Sequence, residues 1–135
     1  MEYNLELIGY VTTFENLTQA KVKEAFYDTN HILTFIIEPG DIGKAIGKKG
    51  SNVKRLAGLI KKRLRIIEFN TNIIEFTKNA ILPHIPKSVK QEGTIIIIQA
   101  ADNQQKSAIY GRDKNNLKNL QIIINKYYTA TIKIA

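Results

Sequence analysis

The feature of this sequence that most restricts its fold is an internal repeat. Residues 47–56 read Gly-Lys-Lys-Gly-Ser-Asn-Val-Lys-Arg-Leu, and residues 111–120, 64 positions later, read Gly-Arg-Asp-Lys-Asn-Asn-Leu-Lys-Asn-Leu. Self-similarity at a fixed spacing indicates a duplicated structural unit. A chain of 135 residues has room for two such units, and each would be near the lower size limit for a single hydrophobic core.

The pattern of apolar residues predicts the same order of elements in both halves: helix, strand, strand, helix, loop, helix, strand. In the first half, Asp41 is expected to cap a short helix by accepting its free N–H groups. The predicted elements are helix 4–18, strands 21–28 and 31–38 around the turn 28–30, helix 42–46, a helix with an apolar stripe at positions 53, 56, 57 and 60, and strand 64–69.

The second half repeats this order after a linker near residues 70–72. We therefore expect an α+β protein with two tandem domains, residues 1–70 and 71–135, each a three-stranded sheet covered on one face by helices. The predicted elements are helix 72–82 ending before Pro83, strands 84–90 and 94–99 around the turn Glu92-Gly93, helices 102–110 and 116–126, and strand 129–134.

The charge of the chain favours a polyanionic partner. The net charge is +8, and the segment from Lys44 to Arg65 contains nine basic residues and no acidic one. Such a surface attracts nucleic acid, although a basic run is also common on a solvated helix face. Charge alone leaves both interpretations open.

The loop Gly47-Lys48-Lys49-Gly50 is a candidate phosphate-binding site within the basic segment. Its two glycines allow a sharp turn and close approach of the backbone to a phosphate, and the helix that follows offers free N–H groups. The spacing of the glycines matches neither the phosphate loop of nucleotide hydrolases nor the dinucleotide-binding fingerprint, and no Gly-Lys-Ser or Gly-Lys-Thr occurs. Nucleotide hydrolysis is therefore not expected.

Ile46 and this loop, set between two short helices, resemble the GXXG loop of the KH domain, and the order of elements is similar to the type II, or prokaryotic, KH fold. The resemblance implies a loop that clamps about four nucleotides of single-stranded RNA. It implies RNA contacts from Ile42, Lys44, Ile46, Gly47, Lys48, Lys49, Gly50, Ser51, Asn52, Val53, Lys54 and Arg55 in the first domain, and from Gly111, Arg112, Lys114, Asn115, Asn116 and Lys118 in the second.

The second loop departs from the GXXG pattern, because Lys114 replaces the closing glycine and Asp113 adds a negative charge. A side chain at position 114 should restrict positive φ and the approach of a phosphate, and Asp113 should repel it. We expect weaker RNA binding at this loop. The alternative is that the loop only connects two helices and its domain supports the first.

Across nearly the whole chain the sequence resembles the archaeal NusA-like proteins, which consist of two type II KH domains with little else attached. The matching segments are 14–18, 38–41, 45–52, 67–69 and 76–80 before Pro83. The resemblance implies a factor that acts on nascent RNA in transcription termination, antitermination or elongation, with RNA polymerase as a further candidate partner. The alternative is an RNA-binding structural or assembly factor of the ribosome or of RNA polymerase.

Catalysis is not expected, because the sequence shows no convergent acids, bases or metal ligands. His31 and His84 lie far apart in predicted strands, and the chain contains no cysteine, which removes thiolate chemistry and cysteine-based zinc sites. We expect no metal, cofactor or small-molecule substrate.

The apolar runs are too short to span a bilayer, so we expect no membrane association and a cytoplasmic location. The pair Tyr127-Tyr128 could stack on bases, but packing explains it more simply.

Overall fold

The computed structural model describes residues 4–135, which form six α-helices and six strands. Short 3-10 turns occupy Lys48–Gly50 and Arg112–Lys114. In chain order the elements are α1 Leu5–Thr18, β1 Val22–Tyr27, β2 Leu33–Ile37, α2 Ile42–Ile46, α3 Ser51–Ile60, β3 Leu64–Glu68, α4 Ile73–Ala80, β4 Ser88–Glu92, β5 Ile95–Gln99, α5 Asn103–Tyr110, α6 Asn115–Asn125 and β6 Thr131–Ile134.

These elements form two compact units that divide between Phe69 and Asn70. Each unit contains one three-stranded sheet, with the order β1-β2-β3 in the first and β4-β5-β6 in the second. In both sheets the first two strands are antiparallel and the last strand is parallel to the middle one. The predicted α+β class with two three-stranded sheets is confirmed.

The core of the first unit attaches its helices to the middle strand. All five residues of β2 are buried, and the rings of Phe14 on α1 and Phe35 on β2 lie 4.5 Å apart. Ala45 on α2 and Leu56 on α3 belong to the same buried cluster as Phe35. Because α2 and α3 are both anchored in this core, the loop that joins them has fixed ends.

Asp28 stabilises the turn between β1 and β2. One carboxylate oxygen accepts hydrogen bonds from the N–H groups of Asn30 at 2.7 Å and Ile32 at 2.9 Å, an arrangement typical of aspartate in turns. His31 completes the turn with a φ of 60°. The strand predicted from position 31 therefore begins only at Leu33.

The second unit differs from the predicted boundaries mainly before β4. The strand predicted from His84 begins at Ser88, because the N–H of His84 instead donates to Ile81 O in a turn. Pro86 has no N–H to give to a strand ladder. The first such bond comes from Lys87, whose N–H donates to Gln99 O at 2.8 Å.

The lengths of the helices show whether any of them could span a membrane. The longest helix in the described part of the chain, α1, has 14 residues, whereas about 20 are needed to cross a bilayer. Within residues 4–135, no helix is long and apolar enough for such a span.

The burial of α3 predicts which of its leucines holds the first unit together. Leu56 is fully buried, whereas Leu59 is 63% exposed on the same helix. We expect Leu56→Ala to lower the free energy of unfolding by about 2–5 kcal/mol, because it leaves a cavity. Leu59→Ala, the matched control, should change it by no more than about 0.5 kcal/mol. Urea denaturation of the two variants provides the measurement, and equal losses would contradict this assignment.

Candidate nucleic-acid interface

The first loop has an unusual backbone that begins directly after α2. Gly47 lies at φ 74° and ψ 173°, Lys49 at φ 55° and ψ 31°, and Gly50 at φ 73° and ψ 18°. The conformation of Gly47 is essentially restricted to glycine. Lys49 and Gly50 are left-handed, a region that other residues enter at a cost of roughly 1–2 kcal/mol.

The two glycines of this loop also differ in the space around them. A Cβ atom on Gly47 would lie 2.8 Å from Asn52 Cγ and 2.9 Å from the Asn52 backbone nitrogen, whereas a Cβ on Gly50 would meet nothing within 4 Å. Gly47 is therefore required by both its dihedral angles and its surroundings. Gly50 is favoured only by its positive φ.

The loop presents backbone N–H groups at the N-terminus of the ten-residue helix α3. The N–H groups of Gly47, Gly50 and Ser51 donate to Gly43 O, Gly47 O and Lys48 O, respectively. Lys48 and Lys49 are the remaining N–H donors of the loop. A helix N-terminus carries partial positive charge, so these two residues can offer both backbone and side-chain groups to an anion.

The basic side chains around the loop are exposed to solvent. Lys44 forms an exposed ion pair with Asp41 at 3.9 Å. No described carboxylate forms an ion pair with Lys48, Lys49, Lys54 or Arg55. These four cations are all exposed, and phosphates could approach them without displacing a protein partner.

Asp41 has a different role from the predicted one. Its side chain makes no capping hydrogen bond to α2. One carboxylate oxygen instead accepts the N–H of Lys21 at 2.8 Å, which ties the start of α2 to the residue before β1. The prediction that Asp41 caps the helix is wrong, since its carboxylate is turned towards a backbone group that is close in space and distant in sequence.

The three apolar residues predicted to contact bases are not equally accessible. Ile46 is 39% exposed, and Val53 is half-buried on the first turn of α3. Ile42 packs against the buried core cluster of the first unit. Among the three, Ile46 therefore offers the most apolar surface beside the loop.

The second loop repeats the backbone of the first almost unchanged. Gly111 lies at φ 73° and ψ 174°, Asp113 at φ 54° and ψ 32°, and Lys114 at φ 59° and ψ 22°. Lys114 therefore adopts the positive φ that its side chain was expected to restrict, at the cost that a left-handed residue other than glycine carries. The open space around Gly50 indicates that the surroundings add no further steric obstacle to a side chain at the matching position.

The chemistry of the second loop differs more than its shape. Arg112 and Lys114 are exposed, but Asp113 stands between them where the first loop has Lys49. Tyr110 occupies the position that matches Ile46, and Lys114 Nζ lies 6.0 Å from the centre of its ring. Sequence reasoning missed Tyr110, although the 64-residue spacing of the repeat could have identified it.

The remaining predicted contact residues lie on the first turns of the two helices that follow the loops. Ser51 is exposed and Asn52 half-buried at the start of α3. On α6, Asn116 and Lys118 are exposed and Asn115 is half-buried. The structure thus gathers each set of predicted residues around its own loop.

Other chemistry-bearing residues lie away from the loops. His31 and His84 both lie in turns and not in the predicted strands. Tyr127 and Tyr128 pack around Phe76, with ring centres 5.6 and 6.1 Å from it, and Tyr128 Oη donates to Asn70 O. Within residues 4–135, no group of three or more acidic or histidine side chains could hold a metal ion.

A comparison with known families identifies the class of protein that this fold and loop define. The model of the KH domain matches residues 10–81, which is more than half of the chain. The chain therefore belongs to the KH domain family. KH domains recognise RNA, so this membership places the chain among RNA-binding proteins.

Within this family the chain is NusA-like. It is 36% identical over 83 residues to a "Probable transcription termination protein NusA" of Methanococcus vannielii, a match that covers 62% of this chain and 47% of the relative. The chain thus spans about half the length of that relative. A protein of the same name from Methanocaldococcus jannaschii is 26% identical over 129 residues, with 93% of this chain and 70% of the relative covered.

A third archaeal relative and a solved structure extend the comparison. A protein of the same name from Halococcus morrhuae is 20% identical over 123 residues, which cover 90% of this chain and 88% of the relative. The crystal structure of APE1850 matches with a TM-score of 0.74 at 22% identity, covering 98% of this chain and all of that chain. At this identity the structural match shows a shared fold.

The difference between the two glycines of the first loop is testable. We expect Gly47→Ala to lower the free energy of unfolding by more than about 2 kcal/mol, because it combines a glycine-only conformation with a steric conflict. Gly50→Ala should cost only about 1–2 kcal/mol, since it adds left-handed strain alone. Urea denaturation compares the two variants. A larger loss from Gly50→Ala would contradict the geometry described for this loop.

Proposed function

We propose that this chain binds single-stranded RNA, with the loop Gly47-Lys48-Lys49-Gly50 as its principal contact. The observation that carries this proposal is the exposed set of cations around a preformed loop at the N-terminus of α3. Backbone N–H groups and lysine side chains there could bind the same stretch of phosphates. Ile46 and Val53 offer apolar surface for unstacked bases beside it.

The proposal includes two type II KH domains, residues 1–70 and 71–135, of which the second binds RNA more weakly. The matching strand order of the two sheets supports this division. The contacts of the second domain would come from Gly111, Arg112, Lys114, Asn115 and Lys118. Asp113 reduces the net positive charge of this loop, which is the physical reason for weaker phosphate binding.

We further propose a non-catalytic role on nascent RNA during transcription. The names of the three archaeal relatives support a role in transcription termination. Antitermination and elongation use the same interaction with emerging RNA, and RNA polymerase is a candidate partner. The basic surface is suited to this role, because electrostatic attraction speeds capture of a polyanion that is exposed only briefly.

A comparison of the two loops tests the assignment of the principal site. We expect Lys48→Asp with Lys49→Asp to lower affinity for a single-stranded oligonucleotide by at least about tenfold, or 1.4 kcal/mol. The slope of log K against log salt should also become shallower by about 0.7 for each phosphate that the variant no longer neutralises. Fluorescence anisotropy at several salt concentrations measures both quantities.

The matched control is Arg112→Asp with Lys114→Asp, which reverses two charges on a loop of the same backbone shape. Both variants should fold, because aspartate already occupies the left-handed position 113. We expect a smaller loss of affinity in the control. An equal or greater loss in the control, with matched thermal stability, would refute the first loop as the principal site.

The role in transcription predicts which RNA the protein contacts in cells. We expect ultraviolet crosslinking, followed by sequencing of the bound RNA, to recover nascent transcripts, because the protein would meet RNA as it leaves the polymerase. The Lys48→Asp, Lys49→Asp protein serves as the control for signal that depends on the loop. Recovery of mature ribosomal RNA alone would contradict the transcription role and favour an assembly factor.

A further inference from the structure

One asparagine in each unit connects the two helices that flank the loop. Asn52, on the first turn of α3, donates a side-chain hydrogen bond from Nδ2 to Lys44 O on α2 at 2.7 Å. Asn116, in the matching position on α6, donates to Ala108 O on α5 at 3.1 Å. The same bond thus occurs twice and joins the same two structural positions around loops that differ in sequence.

These asparagines also occupy the space beside the first glycine of each loop. A Cβ on Gly47 would lie 2.8 Å from Asn52 Cγ, and a Cβ on Gly111 would lie 2.5 Å from Asn116 Cγ. The amide group is therefore in close contact with the glycine where the chain leaves the preceding helix. Each asparagine therefore fills the space that a side chain on the glycine would need, in addition to making its hydrogen bond.

The restraint matters most for the first loop, because α2 is short. Helix α2 has five residues, and a helix of this length has little stability of its own. Lys44 O belongs to its last turn, where carbonyl groups lack partners within the helix. The bond from Asn52 satisfies this carbonyl and couples the end of α2 to the start of α3.

We propose that Asn52 and Asn116 are positioning residues, each of which holds its loop in the phosphate-binding conformation without contacting RNA. For Asn52, this inference refines the proposed function and rests on it. Sequence reasoning counted both asparagines among the RNA contacts. Their amide nitrogens are instead directed to a backbone carbonyl of the protein, so their effect on RNA would be transmitted through the loop backbone.

The experiment combines nuclear magnetic resonance of the free protein with RNA-binding measurements on the full chain. In Asn52→Ala, we expect the backbone amide signals of residues 48–50 to shift before any RNA is added. Asn116→Ala should shift the signals of residues 112–114 and leave those of 48–50 in place. Leu59→Ala, an exposed position at the far end of α3, is the control that should leave residues 48–50 unchanged.

Binding to short oligonucleotides of U, A or C then separates positioning from contact. We expect Asn52→Ala to weaken binding to all three by a similar factor of about three to ten, as for the loss of one hydrogen bond. The salt slope should stay at the wild-type value, because no charged contact is removed. The side-chain amide signals of Asn52 in the wild-type protein should move little when RNA is added.

A second variant tests the hydrogen bond itself. Asn52→Asp keeps the size of the side chain but replaces the donor with an oxygen that cannot donate to Lys44 O. It should therefore shift the signals of residues 48–50 in the free protein as Asn52→Ala does. Undisturbed signals in both variants would overturn the positioning role at the level of structure, independently of any RNA.

Two binding results would overturn the inference in other ways. A loss confined to one of the three bases, together with a large RNA-induced shift of the Asn52 side-chain amide, would identify a direct contact. A disturbed loop with unchanged affinity would show that its conformation does not control binding. If the wild-type protein binds none of the oligonucleotides, the proposed function fails, while the signals of the free protein still report on the positioning of the loop.

Discussion

The backbone of Gly47 is the constraint on which the candidate interface depends. At this residue the chain leaves α2 in a conformation that is essentially restricted to glycine, and it enters α3 through two further positive φ angles, at Lys49 and Gly50. This path brings two exposed lysines to the N-terminus of a helix. A side chain at position 47 would conflict with Asn52, so the shape of the loop and the start of α3 are determined together.

The sheet and its helices serve this loop by fixing both of its ends. Ala45 and Leu56 are fully buried, one on each side of the loop and within the same core cluster as Phe35. The loop itself contains no buried residue, so it contributes little apolar burial of its own. The buried residues Ala45 and Leu56 therefore maintain the conformation of the loop. Because residues 48 and 49 have no packing role, both can be charged lysines.

The order of elements was predictable because the repeat and the apolar periodicity each pointed to it. The apolar alternation in β1 and the run of β-type residues in β2 indicated strands, and the repeat of residues 47–56 at 111–120 marked equivalent loops. The predicted boundaries near His31 and His84 were wrong because these residues end turns, in which their N–H groups donate to Asp28 O and Ile81 O, respectively. Aspartate is a common helix cap, but in the fold the carboxylate of Asp41 accepts the N–H of Lys21 and not a free N–H of α2.

The positions of the candidate contacts could also be predicted from the sequence. The backbone conformation of Lys114 and the hydrogen bond of Asn52 could not. The side chain of Lys114 was expected to restrict positive φ, yet Lys114 has a φ of 59° where Gly50 has 73°. The space around position 50 is open, so a side chain there adds no steric conflict to the left-handed cost, and no sequence pattern reveals this space. For Asn52, the sequence suggested an RNA contact, and the bond to Lys44 O becomes visible only when α2 and α3 are placed together.

The two loops together separate the geometric requirement from the electrostatic one. Both keep the first glycine and its asparagine, whereas the closing glycine and the residue before it have changed to Lys114 and Asp113. The strained left-handed conformations persist at both of these positions, so the loop shape does not require glycine there. A difference in RNA affinity between the two loops would then reflect side-chain chemistry and not a different path of the backbone. The side-chain differences include the charge of Asp113, the bulk of Lys114, the exchange of Ile46 for Tyr110, and the loss of two cations where Ala108 and Asn119 replace Lys44 and Arg55.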